Sequence, residues 1–177
     1  MAYFVYMLAN QKNGTFRDQI QEMLDHVSHF SMGNDIADIN NDGLLDIFTL
    51  DMLPEDNFRQ KQLLSPDNFE MYQLNLERGF YHQTMRNMLN LNAGDGTFQE
   101  IGQLAGISNT DWSWSALFAD LDLDGWKDLY ITNGYLRDYN NQDFLIKISG
   151  GDAAGSFTWW GVYSRYGLGS SFSEGPI

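Results

Sequence analysis

Apolar residues along this chain fall in short runs rather than in long helical stripes. Residues 3–9, 47–50, 112–119 and 129–132 are rich in aromatic and β-branched side chains, and 31–37 and 85–91, which lead into an acidic loop and an Asn/Gly turn, belong to the same short-run pattern. Runs of that length and punctuation predict strands. Two stretches break the pattern. In 18–27, Ile20, Met23, Leu24 and Val27 follow helical spacing, which predicts a short helix. Ser65, Pro66 and Asp67 supply an N-cap, a proline at the first helical position and an acid in the first turn, and Gly79 supplies a stop, so a second helix is predicted over 66–78. Residues 100–110 carry Gly102 and Gly106 and read as a loop.

The strand pattern is written twice. Asn10 to Asp51 aligns without a gap onto Asn92 to Asn133, an offset of 82 residues that places Phe16 on Phe98, Ser31 on Ser113 and Ala37 on Ala119. A fixed period with the same turn residues predicts a repeat architecture. The expected organisation is a repeat region over 1–145, with repeat one at about 3–52, an insertion at 53–83 and repeat two at about 84–138. The insertion interrupts an otherwise gap-free repeat and is expected to face solvent. A tail rich in Gly, Ser and aromatics follows over 146–177 and continues neither repeat.

Each repeat carries the same acidic loop. The second reads Asp120-Leu121-Asp122-Leu123-Asp124-Gly125-Trp126-Lys127-Asp128, and the first reads Asp38-Ile39-Asn40-Asn41-Asp42-Gly43-Leu44-Leu45-Asp46. Carboxylates this close repel and raise one another's pKa unless a positive charge lies among them. A hard cation that prefers oxygen resolves the conflict, and Ca²⁺ takes 6–8 such ligands. The glycine allows the sharp turn that lets the side chains on either side converge. The first six positions match an EF-hand loop. That motif also requires a Glu at position twelve between two helices; here position twelve is Thr49 or Ile131, position nine is Asp, and the flanks are β-type.

Asp at position nine, strand flanks and the upstream turns Asn10–Phe16 and Asn92–Phe98 together resemble the FG-GAP/VCBS repeat of integrin-α-like β-propellers. The resemblance covers roughly residues 3–144. It extends to secreted bacterial proteins that pair such repeats with the domain shared by acidic cartilage protein and UnbV. It implies a mostly β fold, a partial β-propeller of two or three blades with a helical insertion, since a closed propeller needs about 4–8 four-stranded blades. It also implies one Ca²⁺ in each of two sites. By position the ligands would be Asp38, Asn40, Asp42, the Leu44 carbonyl and Asp46, then Asp120, Asp122, Asp124, the Trp126 carbonyl and Asp128.

Composition narrows the chemistry. The 177 residues carry a net charge of −14, which lacks the basic footprint that nucleic acid or an anionic membrane requires. Seven acids sit in the two loops, so two bound Ca²⁺ would bring the charge to about −10. With 43% hydrophobic and 15% aromatic residues the chain is built for a packed core. It has no cysteine, which removes disulfides, thiolate catalysis and zinc-thiolate sites. No apolar run reaches the length of a membrane span. The N-terminal residues lack the features of a signal peptide, and the chain is expected to be a fragment of a longer protein.

Enzymatic signatures are weak. His26 and His29 have i, i+3 spacing but no adjacent acid of the H-E-x-x-H type, so they read as surface or partly buried histidines. Trp112, Trp114 and Trp126 could stack on sugars, but strand aromatics beside a repeat loop read as core. The expected function is a non-enzymatic, calcium-stabilised module at the extracellular or cell surface, a bacterial outer surface, binding a protein or glycan. The alternative is a propeller domain of, or accessory to, a carbohydrate-active enzyme.

Overall fold

The computed structural model describes residues 5–64, 68–134 and 140–149. The start of the first predicted strand, the Ser65-Pro66-Asp67 helix start and the tail from 150 onward lie outside the described residues. Ten strands are described: β1 (Leu8–Asn10), β2 (Phe16–Asp18), β3 (Val27–Ser28), β4 (Asn34–Ala37), β5 (Asp46–Thr49), β6 (Gln83–Thr84), β7 (Met88–Asn92), β8 (Phe98–Glu100), β9 (Ser113–Ala119) and β10 (Asp128–Asn133). Four helices accompany them: α1 (Ile20–Met23), α2 (Asn57–Leu63), α3 (Phe69–Glu77) and α4 (Gln142–Ser149). The fold is mostly β. Two compact units are present, Met1–Lys61 with Ser65–Leu136, and Gln62–Leu64 with Arg137–Ile177. In the smaller unit the Gln62 amide donates to Asp143 Oδ2 at 3.4 Å, at the start of α4.

The centre of the larger unit is a four-stranded antiparallel sheet in the order β4-β5-β7-β8. The β4-β5 hairpin comes from the first half of the chain and β7-β8 from the second, so the sheet spans the insertion. Two further antiparallel pairs, β1-β2 and β9-β10, are described with two strands each. Their registers carry the 82-residue offset. Asn10 faces Phe16 as Asn92 faces Phe98, and Ala37 faces Asp46 as Ala119 faces Asp128.

β5 is an interior strand and is buried at alternate positions, Asp46 and Phe48, with Leu50 continuing the period. Phe48, Leu50, Leu89 and Ala116 form the core, with Met32, Ile39, Ile101, Phe118 and Leu129 packed around it. β9 closes over β4: the Phe48 and Phe118 rings meet edge-on at 5.9 Å, and the Phe118 N–H donates to Asp35 Oδ2 at 2.6 Å. The approach is so close that a Cβ on Gly33 would lie 2.5 Å from the Trp114 carbonyl oxygen. Only glycine fits there.

Several sequence expectations are corrected. The helix expected over 18–27 shrinks to the single turn α1, because Asp18 is taken into β2 and Val27–Ser28 pair in parallel with β6. Of the strand expected at 3–9, the described residues are strand only from Leu8, in β1. In the insertion, α3 starts after Asn68, whose side chain accepts from the Met71 N–H, and a further helix, α2, precedes it. The insertion does not simply face solvent. α3 has no buried residue, but Pro54 and Leu63 are buried, the Asp111 N–H donates to Leu53 O, and the Val27 N–H donates to His82 O. The first residues of the expected tail, 146–149, belong to the helix α4 (Gln142–Ser149).

A buried polar network holds the residues just ahead of the insertion to the core. Asp51 is fully buried, and its Oδ2 accepts from the Ser28 hydroxyl at 2.7 Å and from the His29 and Phe30 N–H groups at 2.9 and 3.1 Å. Its Oδ1 accepts from the Met52 N–H at 2.7 Å, and its own N–H donates to Asn87 Oδ1 at 2.8 Å. The Asn87 amide reaches on to Ile107 O and the Thr110 hydroxyl. Four donors point at one carboxylate, so Asp51→Ala is expected to cost about 3 kcal/mol, the upper range for stranding buried donors. Urea unfolding checks this; a loss well under 1 kcal/mol at unchanged m would show that the network contributes little.

Candidate metal centre

Both acidic loops fold onto their own backbone in the same way. In the first, Asp38 accepts from the Asp42 N–H at 3.1 Å and the Gly43 N–H at 2.9 Å, and Asp42 Oδ1 accepts from the Leu44 N–H at 2.8 Å. In the second, Asp120 accepts from the Asp124 and Gly125 N–H groups at 3.0 and 2.9 Å, and Asp124 Oδ1 accepts from the Trp126 N–H at 2.8 Å. Short acidic side chains favour such local bonds over regular structure, which is why the sequence turns here. Gly43 and Gly125 sit at φ 85° and 92°, which their lack of a Cβ permits. Asn41 and Leu123 also take left-handed backbone, at φ 58° and 64°.

The side chains then converge. One oxygen from each of Asp120, Asp122 and Asp124 lies within 4.8 Å of the others. In the first loop Asn40 stands where Asp122 does, and its amide donates to Asp42 Oδ2 at 2.9 Å. Asp46 and Asp128 close their loops from the far side: Asp46 Oδ2 accepts from the Ile39 N–H at 3.1 Å and Asp128 Oδ2 from the Leu121 N–H at 2.9 Å. Asp128 does not join the three converging carboxylates. Asp46 is 0% exposed and also accepts from the Asn92 N–H at 2.9 Å, which pins the loop to β7. Leu44 is half-buried, and Trp126 is 55% exposed at the matching place.

The loops are neighbours. The Asn41 side-chain amide donates to the Gly125 carbonyl at 3.1 Å. Nothing in the sequence signals this contact, because it joins residues 84 positions apart and Asn41 lies between the alternating acids. The donor set offers oxygens only, and the carboxylates at the tip of the second loop face water. A carboxylate oxygen that accepts one N–H keeps a second lone pair. The residues therefore fit a hard divalent cation rather than a soft one. In the turn upstream, the Thr97 hydroxyl and then the Thr97 N–H hold the Asp95 carboxyl below its usual range.

Residues 80–131 match the family model of an FG-GAP-like repeat. The matched FG-GAP-like segment begins in the insertion, takes in β7, β8, β9 and the whole of the second loop, and ends inside β10. No curated protein and no solved structure matches the chain.

The other chemical candidates separate here. His26 Nε2 lies 2.8 Å from an Arg86 guanidinium nitrogen and 3.5 Å from Glu100 Oε2, while His29 stacks on Phe30 at 4.3 Å. They flank β3 rather than share a helix face, and they form no metal pair. Trp114 on β9 and Trp126 in the second loop are exposed, contrary to the core expected of them; Trp112 is half-buried.

Leu123 pays a conformational penalty that its counterpart Asn41 avoids, since left-handed backbone disfavours bulky side chains but suits Asn. Leu123 is also 86% exposed, so nothing in its packing offsets that penalty. Leu123→Asn is expected to raise stability by about 0.5–1 kcal/mol, read as an upward shift in the thermal midpoint. An unchanged or lowered midpoint would mean the loop relaxes away from this backbone.

Proposed function

We propose that the chain is a calcium-binding, calcium-stabilised repeat module that works outside the cell, at a bacterial cell surface, and presents a surface to a protein or glycan ligand. One observation carries the reading: two loops 82 residues apart fold by the same set of backbone-to-carboxylate bonds, and the second gathers three carboxylate oxygens within 4.8 Å. One Ca²⁺ per loop would be held by Asp38, Asn40, Asp42, Leu44 and Asp46, and by Asp120, Asp122, Asp124, Trp126 and Asp128, with Leu44 and Trp126 contributing carbonyls. The match to an FG-GAP-like repeat supports a non-catalytic role and an extracellular setting. Among the described residues no helix is long and apolar enough to cross a membrane.

In this reading the β4-β5-β7-β8 sheet is a propeller blade, with repeat one at about 3–52, repeat two at about 84–138 and the insertion 53–83 between them, in a protein of the kind that joins such repeats to the acidic cartilage protein/UnbV domain. Ligand contact is assigned to the open polar cleft of about 710 Å³ where α2 meets the loop before β9. Its lining of Asp56, Arg59, Asn109, Asp111 and Asn133, with an Arg59–Asp111 ion pair at 2.6 Å, offers donors and acceptors suited to hydroxyl-rich or polar peptide ligands.

Calcium is expected to add about 2.7 kcal/mol of stability at a hundredfold excess over Kd. Melting with and without chelator tests it, and an identical midpoint in both would remove the metal from the proposal. The four acids of the second loop repel more strongly when empty than the three of the first, so the second should bind more tightly. Asp124→Ala should then abolish the tighter site in a calorimetric titration and cost more stability than Asp42→Ala. The reverse ranking would show that charge count is not what ranks these loops.

A further inference from the structure

The rest of the fold grips the two acidic loops unequally. Asp46, at the base of the first, is 0% exposed and bonded to Asn92 of β7, whereas Asp128, at the same position of the second, is exposed. Residues 121–128 are exposed throughout. Asp120, Asp124 and Asp128 accept from N–H groups of their own loop. Among the described residues, the hydrogen bond that reaches this loop from elsewhere in the fold is the one from the Asn41 amide to the Gly125 carbonyl.

That bond falls on the peptide next to an assigned ligand. The Gly125 carbonyl and the Trp126 N–H belong to one rigid plane. Its oxygen accepts from Asn41 at 3.1 Å, and its N–H donates to Asp124 Oδ1 at 2.8 Å. Held at both ends, the plane resists rotation and sets the direction in which the chain enters Trp126, whose carbonyl is assigned to the second ion. The donor stands at an equally telling place. Asn41 lies between Asn40 and Asp42, two side chains assigned to the first ion, and the Asp42 N–H donates back to Asn40 Oδ1 at 3.2 Å around it. Its backbone is left-handed there, at φ 58°. The support runs one way, because Leu123 occupies the matching position of the second loop and has no side-chain donor to return.

We propose that Asn41 is a positioning residue that couples the two calcium sites, an inference that rests on the metal reading above. Filling the first loop fixes Asn40 and Asp42, and Asn41 with them. Its amide then holds the Gly125–Trp126 peptide in place for the second ion, so that less ordering is left to pay on binding. By linkage, an ion in the second loop tightens the first by the same factor. Asn41 is exposed, so its bond competes with water and lies near the low end for neutral hydrogen bonds, a factor of about three. Repulsion between the two cations opposes this coupling but does not pass through Asn41. The seven acids of the loops also outnumber the four positive charges of two Ca²⁺.

Asn41→Gly removes the donor and keeps a residue that accepts left-handed backbone. In the metal-free protein, exchange of the Trp126 amide proton, read by NMR, should quicken about threefold. Tb³⁺ serves as the probe for the loaded protein. Trp126 stands in the second loop where the first has Leu44, so tryptophan-sensitised luminescence that is lost in Trp126→Phe reports the second site. Asn41→Gly should weaken Tb³⁺ there about threefold. Asp38→Asn, which takes a ligand charge from the first loop, should weaken the second site by a similar factor, and adding Asn41→Gly to it should change little more. Amide exchange and Tb³⁺ affinity both unmoved by Asn41→Gly would overturn the coupling and leave the metal reading standing. Equal weakening by Asn41→Gly with and without Asp38→Asn would also overturn it, since Asn41 would then be a static support. Absence of Tb³⁺ from both loops would remove the metal reading and the coupling together, even with the exchange shift showing that the hydrogen bond is present.

Discussion

The fold depends on a carboxylate buried without a cationic side chain beside it. Asp46 sits at the base of the first loop, fully enclosed, and is satisfied by two backbone N–H groups from different places: Ile39, seven residues earlier, and Asn92, forty-six residues later. Leaving such a group unpaired would cost several kcal/mol, so both donors are fixed once Asp46 is enclosed. That single side chain therefore sets the end of the loop, the start of β5 and the position at which β7 crosses it. Phe48 follows on the same strand and Leu50 just beyond it, and the core with Leu89 and Ala116 is built from there.

Asp51, five residues on, does the same at the other end of β5. Its four donors come from the β3 segment and from Met52, and its own N–H reaches Asn87 just before β7. Two buried carboxylates thus bracket one interior strand and tie it to the segments that precede and follow the insertion. The helices in between are then free to vary in surface: α3 buries nothing, while Pro54 and Leu63 stay under cover. The acidic loops hang from this frame. Their backbones are organised by their own side chains, and Asn41 links the first to the carbonyl of Gly125 in the second.

Much of this was legible in the residues. Strand positions follow from short aromatic and β-branched runs, and the loops follow from alternating Asp with a glycine, because turn formation by Asx bonds and glycine is a local event. The duplicated spacing carried over into duplicated register for the same reason: hairpin pairing is set by the turn it closes. Helical spacing at 18–27 misled because non-local pairing of Val27–Ser28 with Gln83–Thr84 competes for those residues, and local propensity is the weaker force. The exposure of Trp114 and Trp126 was hidden too, since local sequence does not say what packs against a strand face or a loop.

The sequence by itself determined the repeat, its 82-residue period and the two loops with the acids Asp38, Asp42, Asp46, Asp120, Asp122, Asp124 and Asp128, all consequences of local chemistry written twice. Only the tertiary structure decided that the four-stranded sheet takes one hairpin from each half, that Asp46 is enclosed while Asp128 is open, and that the loops stand side by side. These depend on which distant edge meets which. Equivalent residues with equal local propensities become unequal only when one edge is covered and the other is not.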